Sequence, residues 1–105
     1  MASIPEIDVQ TARTLLDDGA GVFVDVRDPR SYAAGHIPGA THLTERTVAD
    51  FLESTDKNLR VVVYCYHGHS SLSATAWLME RGFSQAASMA GGFGAWQMTY
   101  PELTE

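Results

Sequence analysis

Apolar residues along the chain alternate between two patterns: one spaced by three or four positions, the other continuous. Val9, Ala12, Leu15 and Leu16 share one helical face, with Asp8 as a cap and Gly19 as a stop. Gly21-Val22-Phe23-Val24-Asp25-Val26 reads as a strand. The stretch 27–40 holds the turn signals Asp28-Pro29, Gly35 and Pro38-Gly39, which predict a long ordered loop with at most a short helical piece around 31–34. Val48, Phe51 and Leu52 predict a second helix, and His42 reads as a strand end. The clearest strand is 60–65, apolar on both faces as a central strand of a parallel sheet must be. The clearest helix is 70–81, ending at Gly82, with Leu72, Ala76 and Met79 on one face and Trp77 and Leu78 beside them. A short strand at 86–89 follows. Gly91-Gly92 then leads into a helix carrying Phe93 and Trp96. Strands and helices alternating at this spacing predict an α/β fold with a mainly parallel sheet.

Length narrows this to one domain over 1–105. At 45% hydrophobic and 19% charged, the chain is neither disordered throughout nor a coiled coil. Its longest informative apolar run, Val61 to Tyr66, falls far short of the ~20 residues that span a bilayer. The first residues, Met1 to Glu6, carry no basic region and no apolar stretch, so no export signal is expected. A lone cysteine forbids an intrachain disulfide and favours a reducing, cytoplasmic location. The formal charge is −6, Lys57 is the sole lysine, and the arginines are scattered. Neither nucleic acid nor an anionic membrane is an expected partner. No cofactor is expected either: Gly91-Gly92 lacks both a Walker lysine and a GxGxxG pattern.

The segment that carries chemistry is Cys65-Tyr66-His67-Gly68-His69-Ser70-Ser71, between the most apolar strand and the clearest helix. Ligands of open α/β sheets bind at the carboxyl ends of strands, where Cys65 falls. The small and polar residues after it can curl so that backbone N–H groups point inward as an anion-binding nest. The next helix adds its positive N-terminal end. A thiolate there is stabilised and nucleophilic without a dedicated base. The competing reading makes Cys65 a buried hydrophobe that ends a strand; the strand, cysteine, glycine loop and helix in that order favour the nucleophile. Gly68 is expected to adopt a backbone conformation that other residues resist.

The same loop limits the reaction. Cysteine phosphatases need an arginine six residues after the cysteine to clamp phosphate oxygens, and that position is Ser71. Cys65, His67 and His69 as metal ligands would crowd one tight loop and lack a fourth ligand. The two imidazoles fit better as polar groups at a pocket rim. His36 is read as a hydrogen-bonded turn residue rather than a general acid. A buried Asp25 needs a partner, for which Arg27 is the candidate. Trp77, Phe93 and Trp96 are read as core.

Three stretches together resemble the rhodanese family of sulfurtransferases, and most of all its small single-domain bacterial members. They are Asp25-Val26-Arg27-Asp28-Pro29 with Tyr32 and Gly35-His36-Ile37-Pro38-Gly39-Ala40; the Cys65–Ser70 loop; and Gly91-Gly92-Phe93-Gly94-Ala95-Trp96. The resemblance covers nearly the whole chain. It implies a rhodanese-like fold, a central five-stranded, mainly parallel sheet flanked by helices on both faces. It also implies a thiosulfate sulfurtransferase. Cys65 would take the outer sulfur of thiosulfate as a persulfide, release sulfite, and pass the sulfur to a thiophilic acceptor such as cyanide or a dithiol. Tyr66, His67, Gly68, His69, Ser70 and Ser71 would bind substrate. The alternative is a sulfur-relay module that serves a specific protein thiol, such as a thioredoxin-like dithiol protein. Two-domain relatives carry basic residues in or beside the loop, where this chain has His67 and His69. Arg27 and Arg30 follow the Asp25 strand and are the candidate arginines for an approach to the mouth of the site.

Overall fold

A computed structural model describes residues 3–105. Met1 and Ala2, which open the segment expected not to be an export signal, lie outside the described residues. The elements run β1 (Glu6–Ile7), α1 (Val9–Asp17), β2 (Gly21–Asp25), α2 (Pro29–Ala34), β3 (Thr41–His42), α3 (Val48–Ser54), β4 (Arg60–Tyr64), α4 (Ser70–Glu80), β5 (Ala86–Met89) and α5 (Gly92–Thr99). Strand order is β1-β5-β4-β2-β3. Every pairing is parallel, so the sheet expected to be mainly parallel is wholly so.

Alternation along the strands builds two cores. Phe23, Val62, Tyr64 and Met89 point to one face, where Val9 and Ala12 of α1 and Phe93 and Trp96 of α5 cover them. Val24, Val61, Val63 and Ala86 point to the other, against Phe51 of α3 and Leu78 of α4. A strand packed on both sides has no polar face, which is why β4 reads as an unbroken apolar run. At its centre Val61 to Tyr64 are all buried.

Local signals behave as the chemistry requires. Asp8 caps α1 by accepting the Thr11 N–H at 2.8 Å, and Asp28 caps α2 through the Ser31 N–H at 2.9 Å. Pro29 opens α2, where its missing N–H costs nothing. β1 and β3 are two residues each, too short for periodicity to reveal. Near the carboxyl terminus, His36 and Glu105 exchange two backbone hydrogen bonds, at 3.2 and 2.9 Å.

Two packing expectations need correction. The fully buried face of α4 is Ser71, Thr75 and Leu78; Leu72, Ala76 and Met79 are only half-buried, though Met79 still packs against the second core. Counting apolar residues misses this face because its polar atoms are satisfied locally. Thr75 Oγ1 donates to the Ser71 carbonyl at 2.7 Å, and Ser71 Oγ meets Ser88 Oγ at 2.7 Å. Trp77 packs against the edge of the second core but is only half-buried, with the Arg81 guanidinium 3.5 Å above its ring. Trp96 and Phe93 are core as expected.

Candidate active site

β4 places Cys65 one residue beyond the sheet, at the carboxyl edge of its central strand. The loop then turns back over the sulfur. Gly68 N–H donates to Cys65 Sγ at 3.1 Å and Ser71 N–H at 3.3 Å, with Ser71 Oγ 3.4 Å away. Gly68 sits at φ +96°, and a Cβ there would lie 3.0 Å from the Gly91 nitrogen, so both conformation and space demand glycine. Burial pushes the Cys65 thiol up; the Ser71 hydroxyl and amide, the Gly68 amide and the nearby Ser70 amide outweigh it. The net result holds the thiol below its ordinary value.

The loop is tied down from α5. Phe93 N–H donates to the Cys65 carbonyl at 2.8 Å, and Gly94 N–H to the Tyr66 carbonyl at 2.9 Å. These donors belong to the first turn of α5, whose N–H groups have no partner within the helix. A Cβ on Gly92 would overlap the carbonyl oxygens of both Cys65 and Tyr66. The Gly91-Gly92 stretch therefore fastens the cysteine loop. Sequence reasoning missed this tie because it depends on an approach between two distant segments.

The remaining loop residues differ in placement. Tyr66, His67, His69 and Ser70 are exposed; Gly68 and Ser71 are buried. The loop thus faces outward with its side chains and inward with its amides. Ser71 lies beneath the sulfur, on the side away from solvent. Ser88 of β5, fully buried, was not singled out from the sequence. A serine in an otherwise apolar strand is the signal that could have found it, because a buried hydroxyl needs a partner.

Neighbouring residues are committed elsewhere. Arg27 Nη2 donates to Asp25 at 2.6 Å and to the Gly35 carbonyl at 2.6 Å, and Arg27 Nε also donates to Asp25. Its side chain is 6% exposed and spans Phe93 at 4.2 Å. Arg30 is exposed on α2. His36 Nδ1 donates to the Tyr32 carbonyl at 2.8 Å and stacks on the Tyr32 ring, the turn role expected for it. His42 donates from Nε2 to the Arg27 carbonyl at 2.7 Å. A groove of about 220 Å³, lined by Arg27, Gly35, Tyr66 and Phe93 among others, flanks the loop. A larger apolar groove of about 400 Å³ lies around Leu43, Val48, Ala74 and Trp77. Cys65 lines neither groove; its sulfur lies in the cradle of the Gly68 and Ser71 amides.

Residues 8–99 match the rhodanese-like domain family. The chain belongs to the rhodanese-like family. Among its relatives, a protein named thiosulfate sulfurtransferase GlpE from Pseudomonas entomophila (strain L48) is 50% identical over 104 residues, covering 99% of this chain and 94% of the relative. A protein of the same name from Stutzerimonas stutzeri (strain A1501) is 44% identical over 105 residues, covering 100% of this chain and 95% of the relative. Among solved rhodanese-like structures, the human single-domain sulfurtransferase TSTD1 aligns with a TM-score of 0.80 at 25% identity, covering 90% of this chain and 96% of that one. The rhodanese-like fold expected from the sequence is the fold observed, down to its five strands with helices on both faces. Among the described residues no helix is long and apolar enough to cross a membrane.

Proposed function

We propose that this rhodanese-like chain is a thiosulfate sulfurtransferase that carries the transferred sulfur on Cys65, within a single domain spanning 1–105. The observation that carries the reading is the cradle: a sulfur held by two backbone N–H groups and a hydroxyl, with no lysine or arginine in the loop. Its relatives at 44–50% identity named thiosulfate sulfurtransferase support the donor. The Cys65 thiolate attacks the outer sulfur of thiosulfate. The new S–S bond forms as the bond to the sulfonate sulfur breaks, and sulfite leaves with the electron pair. The persulfide keeps one negative charge on its outer sulfur. The amides of His67 and His69 make no hydrogen bond within the described residues, and we assign them to that outer sulfur. A thiophilic acceptor then attacks the outer sulfur and returns Cys65 as thiolate. This is two-step covalent catalysis.

Tyr66, His67, His69 and Ser70 form the outward rim that meets donor and acceptor, while Gly68 and Ser71 support the sulfur from within. A dianionic phosphoester finds no guanidinium fork here, since Arg27 is already spent on Asp25 and Gly35. The lone free cysteine suits a reducing cytoplasm.

Intact mass after incubation with thiosulfate tests the reading. A gain of about 32 Da, reversed by cyanide or dithiothreitol, is expected for a persulfide on a reactive thiolate. With one cysteine in the chain, the gain needs no mapping. No gain in a folded protein with a titratable thiol overturns thiosulfate as donor. A gain that transfers slowly to cyanide and rapidly to a thioredoxin-like dithiol protein moves the assignment to the sulfur-relay reading.

A further inference from the structure

Ser88 takes no part in the scheme above, yet it is fully buried and its hydroxyl lies 2.7 Å from Ser71 Oγ, which lies 3.4 Å from Cys65 Sγ. Three polar side chains thus form a line from β5 through α4 to the reactive sulfur. No other hydrogen bond is made by the Ser88 hydroxyl within the described residues, and no buried side-chain nitrogen or oxygen there is left without a partner. Each hydroxyl has one hydrogen to give. If Ser71 gives its hydrogen to Ser88, none is left for the sulfur. If Ser88 gives its hydrogen to Ser71, the Ser71 hydrogen is free to point at the sulfur.

We infer that Ser88 is a positioning residue: it donates to Ser71 Oγ and thereby aims the Ser71 hydroxyl at the Cys65 thiolate. This rests on the assignment of Cys65 as the sulfur carrier. In the thiol state the line runs the other way. Cys65 S–H points to Ser71, and Ser71 donates to Ser88. On ionisation the proton leaves to solvent, both hydroxyls turn, and the same two contacts are kept with reversed polarity. No atom other than that proton is exchanged. Without Ser88, no donor occupies the Ser71 oxygen, and the Ser71 hydroxyl is free to rotate away from the sulfur. The charge on the sulfur would then lose a donor that the buried surroundings make strong.

Other titratable groups do not set this balance. Tyr66, His67 and His69 are exposed on the loop; α4 meets the sulfur through the Ser71 amide and hydroxyl, and β5 reaches it only through the Ser88 hydroxyl on Ser71. The Asp25 and Arg27 pair is closed on itself and packs with Tyr64 and Phe93 on the opposite face of the sheet.

The test is the pH dependence of alkylation of Cys65 by iodoacetamide, which needs no sulfur donor. Ser71→Ala is expected to raise the midpoint by about one pH unit, the scale of one hydrogen bond to a charged group. Ser88→Ala is expected to raise it by about half a unit with the fold kept. The double variant is expected to match Ser71→Ala alone, because Ser88 acts only through Ser71. An unchanged midpoint in Ser88→Ala overturns the inference, and so does a Ser88→Ala effect that persists undiminished without Ser71. Should Ser88→Ala not fold, Ser88→Thr and Ser88→Val carry the same comparison, since they differ by a hydroxyl for a methyl. The Val variant is expected to show the higher midpoint, and equal midpoints overturn the inference. Sulfur loading from thiosulfate is scored separately, so failure of the relay and failure of the sulfurtransferase reading remain distinct.

Discussion

Two segments leave the sheet at the same edge and meet opposite fates. Asp25 ends β2 and Tyr64 ends β4, and the two are direct neighbours in register. After Asp25 the chain spends its polar groups on itself. Arg27 grips Asp25 and the Gly35 carbonyl, His42 caps the Arg27 carbonyl, and Tyr32 Oη donates to the Ala40 carbonyl. After Tyr64 the chain does the reverse. It turns amides inward around one sulfur and sends its side chains to solvent. Charge goes where it can be neutralised permanently, and uncharged donors go where an anion comes and goes. A fixed guanidinium beside Cys65 would bind a dianion tightly and hold the product too. Amides stabilise a thiolate and a persulfide alike and are indifferent to which is present.

The largest expected effect comes from breaking the self-paired side. Asp25 is wholly buried, so Arg27→Ala leaves a carboxylate with no counter-charge. The expected loss is about 3–5 kcal/mol of folding stability, read by urea denaturation. A loss under 1 kcal/mol would mean that the Arg27 backbone N–H, 2.8 Å from Asp25 Oδ1, suffices alone. Arg27→Lys is expected to recover only part, because an ammonium cannot reach Asp25 and Gly35 through the same planar fork.

Next in size is the strap between the two regions. Gly92 at φ +61° touches the carbonyls of Cys65 and Tyr66, so Gly92→Ala strains both its own backbone and the loop. The left-handed backbone alone costs about 1–2 kcal/mol. Sulfur transfer is expected to fall further than stability does, since the displaced carbonyls belong to the reactive loop. Equal wild-type turnover in a folded Gly92→Ala protein would show that the loop holds its shape without α5.

Most of this contrast is legible in the sequence. The β4 run, the glycine at Gly68 and the missing arginine at Ser71 all lie close together in the chain, and local chemistry interprets them. Asp25 and Arg27 are two residues apart, and burial of a carboxylate demands a partner. What stayed hidden depends on tertiary approach. Ser88 and Ser71 are seventeen positions apart and meet only because α4 packs on β5. The α4 face was misjudged for the same reason, since Ser71 and Thr75 count as polar until their partners are known. β1 and β3 are short strands that exist because a neighbouring strand offers them a ladder.

A third prediction sharpens the anion side. The Cys65 thiol is held below its ordinary value in the fold. Alkylation of the native protein is therefore expected to rise at lower pH than alkylation of the unfolded chain. By linkage, ionisation of Cys65 favours the folded state. That stabilisation is complete above the ordinary thiol value and is lost as pH falls through the depressed one. A native midpoint at or above the unfolded one would mean that burial outweighs the loop donors.

The smallest effect is expected at the end of the self-paired side, where it reaches solvent. Glu105 stands 3.6 Å from His36 Nε2 and is 57% exposed. Its Oε1 also accepts the Gly39 N–H at 3.0 Å. Glu105→Gln keeps an oxygen for Gly39 and removes only the charge. An exposed carboxylate contributes little even beside a charged partner, so the expected change is under about 0.5 kcal/mol by thermal unfolding at neutral pH. The tail is fastened instead by its two backbone hydrogen bonds to His36 and by the Leu103 carbonyl, which accepts from Trp96 Nε1 at 2.9 Å. A loss approaching that of Arg27→Ala would contradict the ranking by burial. It would extend the charge-paired region to the chain terminus. A change within error, beside a large one at Arg27, would show that charge matters on this side of the molecule only where water is excluded.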